Sequence, residues 1–524
     1  MSMSLAGRRR TVWAALLATC VLTIALRVVG LNWGLPFLYH PDESFNFTIS
    51  QRMLKALDPN PHFFKYPSFF LYFNALIEAA YFAVCRAAGT LHTLKDLREL
   101  DVPVMGSGYS ALPSAFLTVR AMSVAFGVGT VAIIYRVGRF LSPRVEVALL
   151  AALFVATSPL ILRETRWITP EGLLTLTVAS ALLASLQVWR FGRARDLIWA
   201  SVLTGLAASV KYNGVFVALA VGLAAILHYR KRVFRSPWVY AAPLIAAGSF
   251  VLTTPYAVLD SSHFWRDLTF ERAHYATGHT GAEGNTLAFY CRYLWDSEGV
   301  IACFFLAGVV LGVVRRNQPV LIISAYCLAY FCFINSLVLR NGRSLVPIVP
   351  GLLAVAAWFI SEALTWLNAR TFSQKLPRAF RNSISLLLLA LTVTPPLHTS
   401  LTETRSLLWQ DNREAARVWV EANVPPHSRF AIEAYACYVD RHRYRLRSIT
   451  DLEPRWLAQH ADYVILSGGS YDRFVIEPTR YPEQLALYQA IFNEFELVKS
   501  FNDAHGGSEI RIYRTHPRPA RNNG

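Results

Sequence analysis

Apolar residues recur along the chain in blocks of membrane length, at 11–31, 67–91, 116–135, 145–162, 172–189, 197–210, 214–228, 237–254, 299–314, 319–339, 345–361 and 383–397. A helix of about 20 apolar residues crosses a hydrocarbon core, so these twelve blocks predict spans. Between the first two lies a stretch of different pattern. Phe45, Phe47, Ile49, Met53, Leu54 and Leu57 are apolar there among polar residues, which suits a short helix in the membrane interface at 44–57. The pattern changes again at about residue 399. Ala415, Val418, Trp419 and Ala422 mark one face of an amphipathic helix ended by Pro425-Pro426. Strands at 430–434, 462–467 and 509–513, with a helix at 482–495, predict a small α/β domain at 399–524.

Composition agrees with the pattern. Of 524 residues, 54% are hydrophobic and only 16% charged, where a soluble domain carries about 25%. The fold class expected is therefore an α-helical polytopic membrane protein, with about 11–13 transmembrane helices in residues 1–398. A net charge of +17 invites a nucleic-acid reading. Much of the excess sits in short loops between spans (Arg190 to Arg193, Arg230 to Arg232, Arg315-Arg316), where it orients helices, so no nucleic-acid partner is expected. Arg8, Arg9 and Arg10 place the N-terminus in the cytoplasm, and the first block reads as a retained anchor of a plasma (inner) membrane protein. Twelve spans would return the tail to the cytoplasm; an extracytoplasmic tail needs one block in 86–166 to be missed, split or re-entrant. Seven cysteines fall mostly inside spans and form no disulfide framework.

Candidate chemistry gathers where spans meet the outer surface. Tyr39-His40-Pro41-Asp42-Glu43 opens the loop at 32–66, and Phe64-Lys65-Tyr66-Pro67 closes it. Adjacent acids beside a span need water, a cation or a substrate. The plainer reading has Asp42 capping a helix. Glu171, Arg163, Arg166, Lys211, Arg340 and Arg343 flank other spans on the same side, and the long loop at 255–298 joins them. Acids within a ring of cations at headgroup depth suit a sugar joined to a lipid through phosphate. The cations would hold the phosphate and the charge growing on it, and a carboxylate would take the acceptor proton. Lys65 and Lys211 could instead merely snorkel. His274, His279 and Glu283 are ligand types without ligand spacing, and read as interfacial polar residues. A transporter or flippase of an anionic lipid-linked sugar is the alternative function, but no internal repeat is visible. A receptor or scaffold would leave Asp42-Glu43 unexplained.

Tyr39 to Glu43 followed by Lys65-Tyr66-Pro67-Ser68-Phe69-Phe70-Leu71-Tyr72 resembles the opening of the GT-C fold glycosyltransferases, which include protein O-mannosyltransferases and lipid A aminoarabinose transferases. Arg120, Ser158-Pro159, the Gly205 to Lys211 stretch and Arg343-Ser344-Leu345-Val346-Pro347 with Pro350 are similar as well. The resemblance covers about residues 10–400. It implies an inverting enzyme that uses a polyprenyl-phosphate sugar, with Asp42 as the catalytic general base and Glu43 beside it in the catalytic pair. Lys65, Lys211, Arg340 and Arg343 would bind the donor phosphate; Glu171, Arg166, Tyr66 and His40 would contact substrate. Three departures stand out. Phe64 replaces an acid tied to a metal in the lipid A branch, Glu171 stands for an Asp, and Ser344 follows Arg343 in place of an aromatic. No cofactor is required, and a divalent cation is left open. The acceptor, whether protein, glycolipid or polysaccharide, is not named by these residues.

Overall fold

Each long apolar block folds as a helix, because in lipid every backbone N–H and C=O must be satisfied within its own segment. The computed structural model describes residues 5–369, 377–502 and 506–516, with side chains beyond the start of the first helix, so the side chain of Arg8 lies outside what is described. Among the described residues, eight helices are long and apolar enough to cross a membrane, and two bent pairs raise the number to ten. The other two predicted spans are α8 (Ala194–Val210) and α10 (Pro237–Thr253), of 17 residues each. The protein is a multi-pass membrane protein.

Two blocks differ from simple rods. The block at 145–162 is broken into α5 (Val145–Thr157) and α6 (Pro159–Thr165), bent by 52°. Ser158 causes the break: its hydroxyl accepts from Ile161 N at 3.2 Å, and proline follows at the first helical position. The loop at 255–298 holds α12 (Ser261–Thr277) and α13 (Thr286–Glu298), and α13 meets α14 (Val300–Val314) at 109° over Gly299, whose φ of 59° suits glycine.

The chain divides into two units, the first made of Met1–Val29, Pro59–Asn74 and Arg120–Thr404, and the second of Gly30–Asp58, Ala75–Val119 and Arg405–Gly524. The first is the helical bundle. Its most buried element is α7 (Glu171–Phe191), and α16 (Val349–Ala369) is similarly enclosed. In the second unit, α2 (Pro41–Ala56) follows a two-residue strand β1 (Phe37–Leu38). Strands β2 (Asp101–Val104) and β3 (Ser107–Tyr109) form a hairpin, and β1 pairs with β3, Phe37 opposite Tyr109 and Leu38 opposite Gly108.

That pairing corrects the span count. Helix α3 (Phe69–Ala87) lies between β1 and β3 in the chain, so both of its ends must be on one face of the membrane, and it does not cross. Its side chains agree. Asn74 and Glu78 are buried, with Ser50 of α2 donating to Glu78, while Leu76 and Val84 are exposed at 63% and 69%. Such a helix lies in the interface with its apolar face to lipid. Eleven of the twelve predicted spans then remain as candidates among the described residues, an odd number. The hairpin occupies the stretch after α3, and an odd number of spans is what an extracytoplasmic tail requires.

The C-terminal part of the second unit is a five-stranded mixed sheet in the order β5 (Arg445–Ser448), β4 (Arg429–Ile432), β6 (Tyr463–Ser467), β8 (Ile510–Arg514), β7 (Glu496–Phe501). Period-two alternation sends Phe430, Ile432, Ile465 and Ile512 to one face, against the helix Asn412–Asn423 and hairpin residue Val104. Ala431, Val464, Leu466 and Tyr513 face the helices Gly468–Ile476 and Pro482–Glu494.

One carboxylate is trapped in this sheet. Glu433 follows β4, is 7% exposed, and accepts from Ser467 N at 2.8 Å and from the Tyr488 hydroxyl. Burial pushes its pKa up to about 7, partly offset by those two donors. The folded state therefore holds a proton that the unfolded state has lost between about pH 4.5 and 7. Stability from this group is present at low pH and lost as pH rises through 7, by about 3 kcal/mol in all. Thermal unfolding of the tail should thus shift downward between pH 5 and 8, and Glu433→Gln should flatten that shift; an equal slope in the variant would remove Glu433 as its cause.

Candidate functional site

Lys65 sits in a short segment between α2 and α3 that is held by its neighbours on both sides. Phe64 is fully buried against Phe264, its N–H donates to Asp267 at 2.9 Å, and its carbonyl accepts from the Tyr212 hydroxyl at 2.7 Å. Asn60 donates to Asp260 at 2.8 Å, and Ser68 N to Thr254 at 3.3 Å. With its backbone pinned at these points, Lys65 projects over the Phe270 ring, ammonium 4.2 Å from the centroid. That contact is worth about 0.5–2 kcal/mol. Among the described residues no carboxylate pairs with Lys65.

Lys211 ends α8 and precedes a tight helical segment, Tyr212–Val217. Its ammonium donates to Glu171 at 3.0 Å, the Glu171 side chain being buried and that of Lys211 11% exposed, and lies 5.8 Å from the Tyr66 ring. Glu171 is the first residue of α7, where the positive end of the helix favours a carboxylate.

Lys65 and Lys211 line one cavity of about 460 Å³. Its polar rim continues with Glu271, Arg272, Tyr275 and Ser344, and its walls are Phe216, Leu268, Phe333, Ile334 and Leu337. Cations and aliphatic and aromatic walls in one cavity make it amphipathic. Burial raises the Glu271 pKa above the usual carboxylate range, against the pull of Lys211 and Lys65. Burial and Lys65 together lower that of His274.

The other predicted cations are engaged differently. Arg343 pairs with Glu164 at 3.3 Å, and Glu164 also accepts from the Tyr293 hydroxyl at 2.9 Å. Arg163 donates to that hydroxyl at 3.0 Å and pairs with Glu403. Arg166 is buried at the end of α6, donating to the Leu26 carbonyl at 3.1 Å and to Thr404 at 2.9 Å; its environment is that of a brace between helices. Arg340 donates through its backbone to Ala282 at 2.7 Å. The structure thus brings together Lys65, Lys211, Glu171 and Tyr66, and places Arg166 in a separate buried niche.

His40, Asp42 and Glu43 belong to the second unit. Asp42 does not cap α2: His40 occupies the cap position without a side-chain bond, Pro41 comes next, and both acids lie in the first helical turn. Glu43 is buried and Asp42 half-buried. The first turn suits both, since negative charge there meets the positive helix end.

Glu164, Tyr293, Glu403 and Glu271 were missed from the sequence. Glu164 had a signal, an acid next to Arg163 at a span end. Glu271 had another: Leu268, Glu271 and Tyr275 follow helical spacing and face one cavity. His274 and His279 stack 5.1 Å apart, and Glu283 accepts from Ala282 N. Among the described residues no three His, Cys, Asp or Glu side chains come together as an ion site. Beside Lys65, the fully buried Phe64 offers no ligand, so the residues there do not fit a divalent cation.

The class that this fold defines is the GT-C membrane glycosyltransferase fold, seen by likeness to solved structures. An oligosaccharyltransferase from Archaeoglobus fulgidus, tethered with an acceptor peptide, matches at TM-score 0.55 and 12% identity, over 97% of this chain and 74% of that one. ArnT from Cupriavidus metallidurans matches in the apo state at 0.53 and 13% identity, over 95% and 97%. Its complex with undecaprenyl phosphate matches at 0.50 and 14%, over 98% and 99%. At such identities the likeness shows the fold. A family model described as dolichyl-phosphate-mannose-protein mannosyltransferase matches residues 111–256. No curated protein sequence matches the chain.

Removing one partner of a buried ion pair leaves an uncompensated charge and costs about 3–5 kcal/mol. Glu171→Gln should therefore destabilise the helical unit by about that amount in thermal unfolding. Adding Lys211→Met to it should recover most of the loss; a single variant as stable as the parent would show that the pair contributes no stability.

Proposed function

We propose that this protein transfers a sugar from a polyprenyl-phosphate donor to an acceptor hydroxyl, with inversion, at the extracytoplasmic face of the plasma membrane. The observation that supports this reading most is the cavity of Lys65 and Lys211, where two ammonium groups meet walls of Phe216, Phe333, Ile334 and Leu337. A phosphate carrying an isoprenoid chain has the same division of polar and apolar parts. The fold shared with ArnT bound to undecaprenyl phosphate, and the mannosyltransferase family model, support it further.

In the proposed reaction the acceptor oxygen attacks the anomeric carbon as the bond from that carbon to the phosphate oxygen breaks. The electron pair leaves on the lipid phosphate, and the acceptor proton goes to Asp42. Assigning Asp42 as general base rests on the sequence resemblance, with Glu43 beside it in the same helical turn. The two lysines stabilise the charge growing on the leaving phosphate, so no acid is needed to protonate it. His40, Tyr66, Arg340 and Arg343 stand in this reading as further substrate contacts.

General bases contribute about 10²–10⁴-fold, so Asp42→Asn should cost at least about a hundredfold in transfer while insertion and folding are kept. Vesicles with a labelled polyprenyl-phosphate sugar would read this out as label joined covalently to acceptor. Label that changes leaflet without changing its bond would favour a flippase. Lys65→Ala should raise the donor KM severalfold more than the acceptor KM; equal effects on both would remove its role as phosphate ligand.

A further inference from the structure

We propose that Arg413, in the C-terminal domain, is a positioning residue that sets the orientation of the Asp42 carboxylate; its catalytic consequence rests on the reading above, its mechanical link does not. Arg413 is 9% exposed and lies in the first turn of the helix Asn412–Asn423. Its Nη1 donates to the Tyr39 carbonyl at 2.9 Å. The remaining donors grip Asp411, Nε to Oδ1 at 2.8 Å and Nη2 to Oδ2 at 2.8 Å. The guanidinium plane also stands 4.6 Å from the Tyr39 ring centroid and 5.5 Å from that of Trp33.

A second tether runs beside the first. The Tyr39 hydroxyl donates to Glu414 at 2.8 Å, and Glu414 is held by Arg417 through bonds of 2.6 and 2.9 Å. Arg417 in turn covers the Phe37 ring at 4.1 Å. Tyr39, itself 2% exposed, is thus gripped at its carbonyl, its ring and its hydroxyl by one turn of a helix that lies more than 370 residues further along the chain.

The grip can reach Asp42 because little freedom lies between them. Only His40 and Pro41 intervene. The proline ring sets its own φ, and a residue before proline is confined to extended backbone, as His40 is at φ −94° and ψ 118°. From Pro41 onward the chain is helical, with Phe47 packed on Phe116 at 5.0 Å. A carbonyl fixed at Tyr39 therefore fixes the direction in which α2 starts. Charge-assisted bonds to a planar guanidinium suit this role, since the fork is rigid.

The test uses the full-length protein in nanodiscs, with Arg413→Ala and Arg413→Lys. Backbone hydrogen exchange across 37–43 is the reading that needs no activity: it should speed up at least about tenfold in Arg413→Ala, and unchanged exchange overturns the link. In transfer assays kcat should fall about 10- to 100-fold with donor KM within about twofold, and Arg413→Lys should recover part of kcat because it keeps a charged donor for the Tyr39 carbonyl. A folded Arg413→Ala with the parent's kcat overturns the catalytic consequence while Asp42→Asn remains inactive. An active Asp42→Asn instead overturns the reading of Asp42 and leaves the exchange result standing. If Arg413→Ala does not fold, Tyr39→Phe, which cuts only the hydroxyl tether, takes its place: faster exchange across 37–43 and a lower kcat uphold the proposal, and no change in either overturns it.

Discussion

The hydrogen bonds between Phe37–Leu38 and Ser107–Tyr109 join two parts of the chain that an apolar helix of 19 residues separates. A β-pair requires its strands about 5 Å apart, whereas a crossing helix would put them on opposite sides of some 30 Å of hydrocarbon. The helix must therefore return to the face it left. Glu78 then turns inward to Ser50 of α2, Asn74 is buried as well, and apolar residues such as Leu76 and Val84 are left for lipid. The same side is shared by the C-terminal domain, because Glu414 and Arg413 hold Tyr39 immediately after β1. A strand of two residues thus bears on a parity question that hydropathy leaves open.

That strand was not legible beforehand. Two residues are too few to show alternation, and their partner lies about 70 residues away across an apolar block. The block itself reads as a span because composition does not reveal which way a helix faces. A signal was present even so: Asn74 and Glu78 fall four apart, on one stripe of an otherwise apolar helix. By contrast much of the tail was readable, although the strands Arg445–Ser448 and Glu496–Phe501 and the helices Pro454–His460 and Gly468–Ile476 were not. Its helix ends at Asn423 before two prolines, and the strands at 429–432, 463–467 and 510–514 fall within a residue or two of their expected places. Soluble alternation has a polar side to contrast with, and membrane blocks have none.

The site was half legible. Lysines beside spans are rare enough to notice, and Lys65 and Lys211 do line one cavity. What could not be read was which acid each cation would meet. Lys211 has Glu171, Arg343 has Glu164 and Arg163 has Glu403, pairs set by helix packing and not by spacing. Arg166 looked like its neighbours in sequence and differs only because the Leu26 carbonyl and Thr404 are there to receive it.

These pairings bear on how a phosphate site can also turn over. On the proposed reading the donor phosphate carries one negative charge and the departing lipid phosphate close to two. Cations there gain most from the later state, which is the condition for lowering a barrier instead of only tightening binding. The same preference would hold the product firmly if every cation were unpaired. Lys211 is already half-neutralised by Glu171, whereas Lys65 rests on a ring whose attraction is far weaker than an ion pair. One strong and one moderated charge can favour the growing anion and still let the lipid phosphate leave.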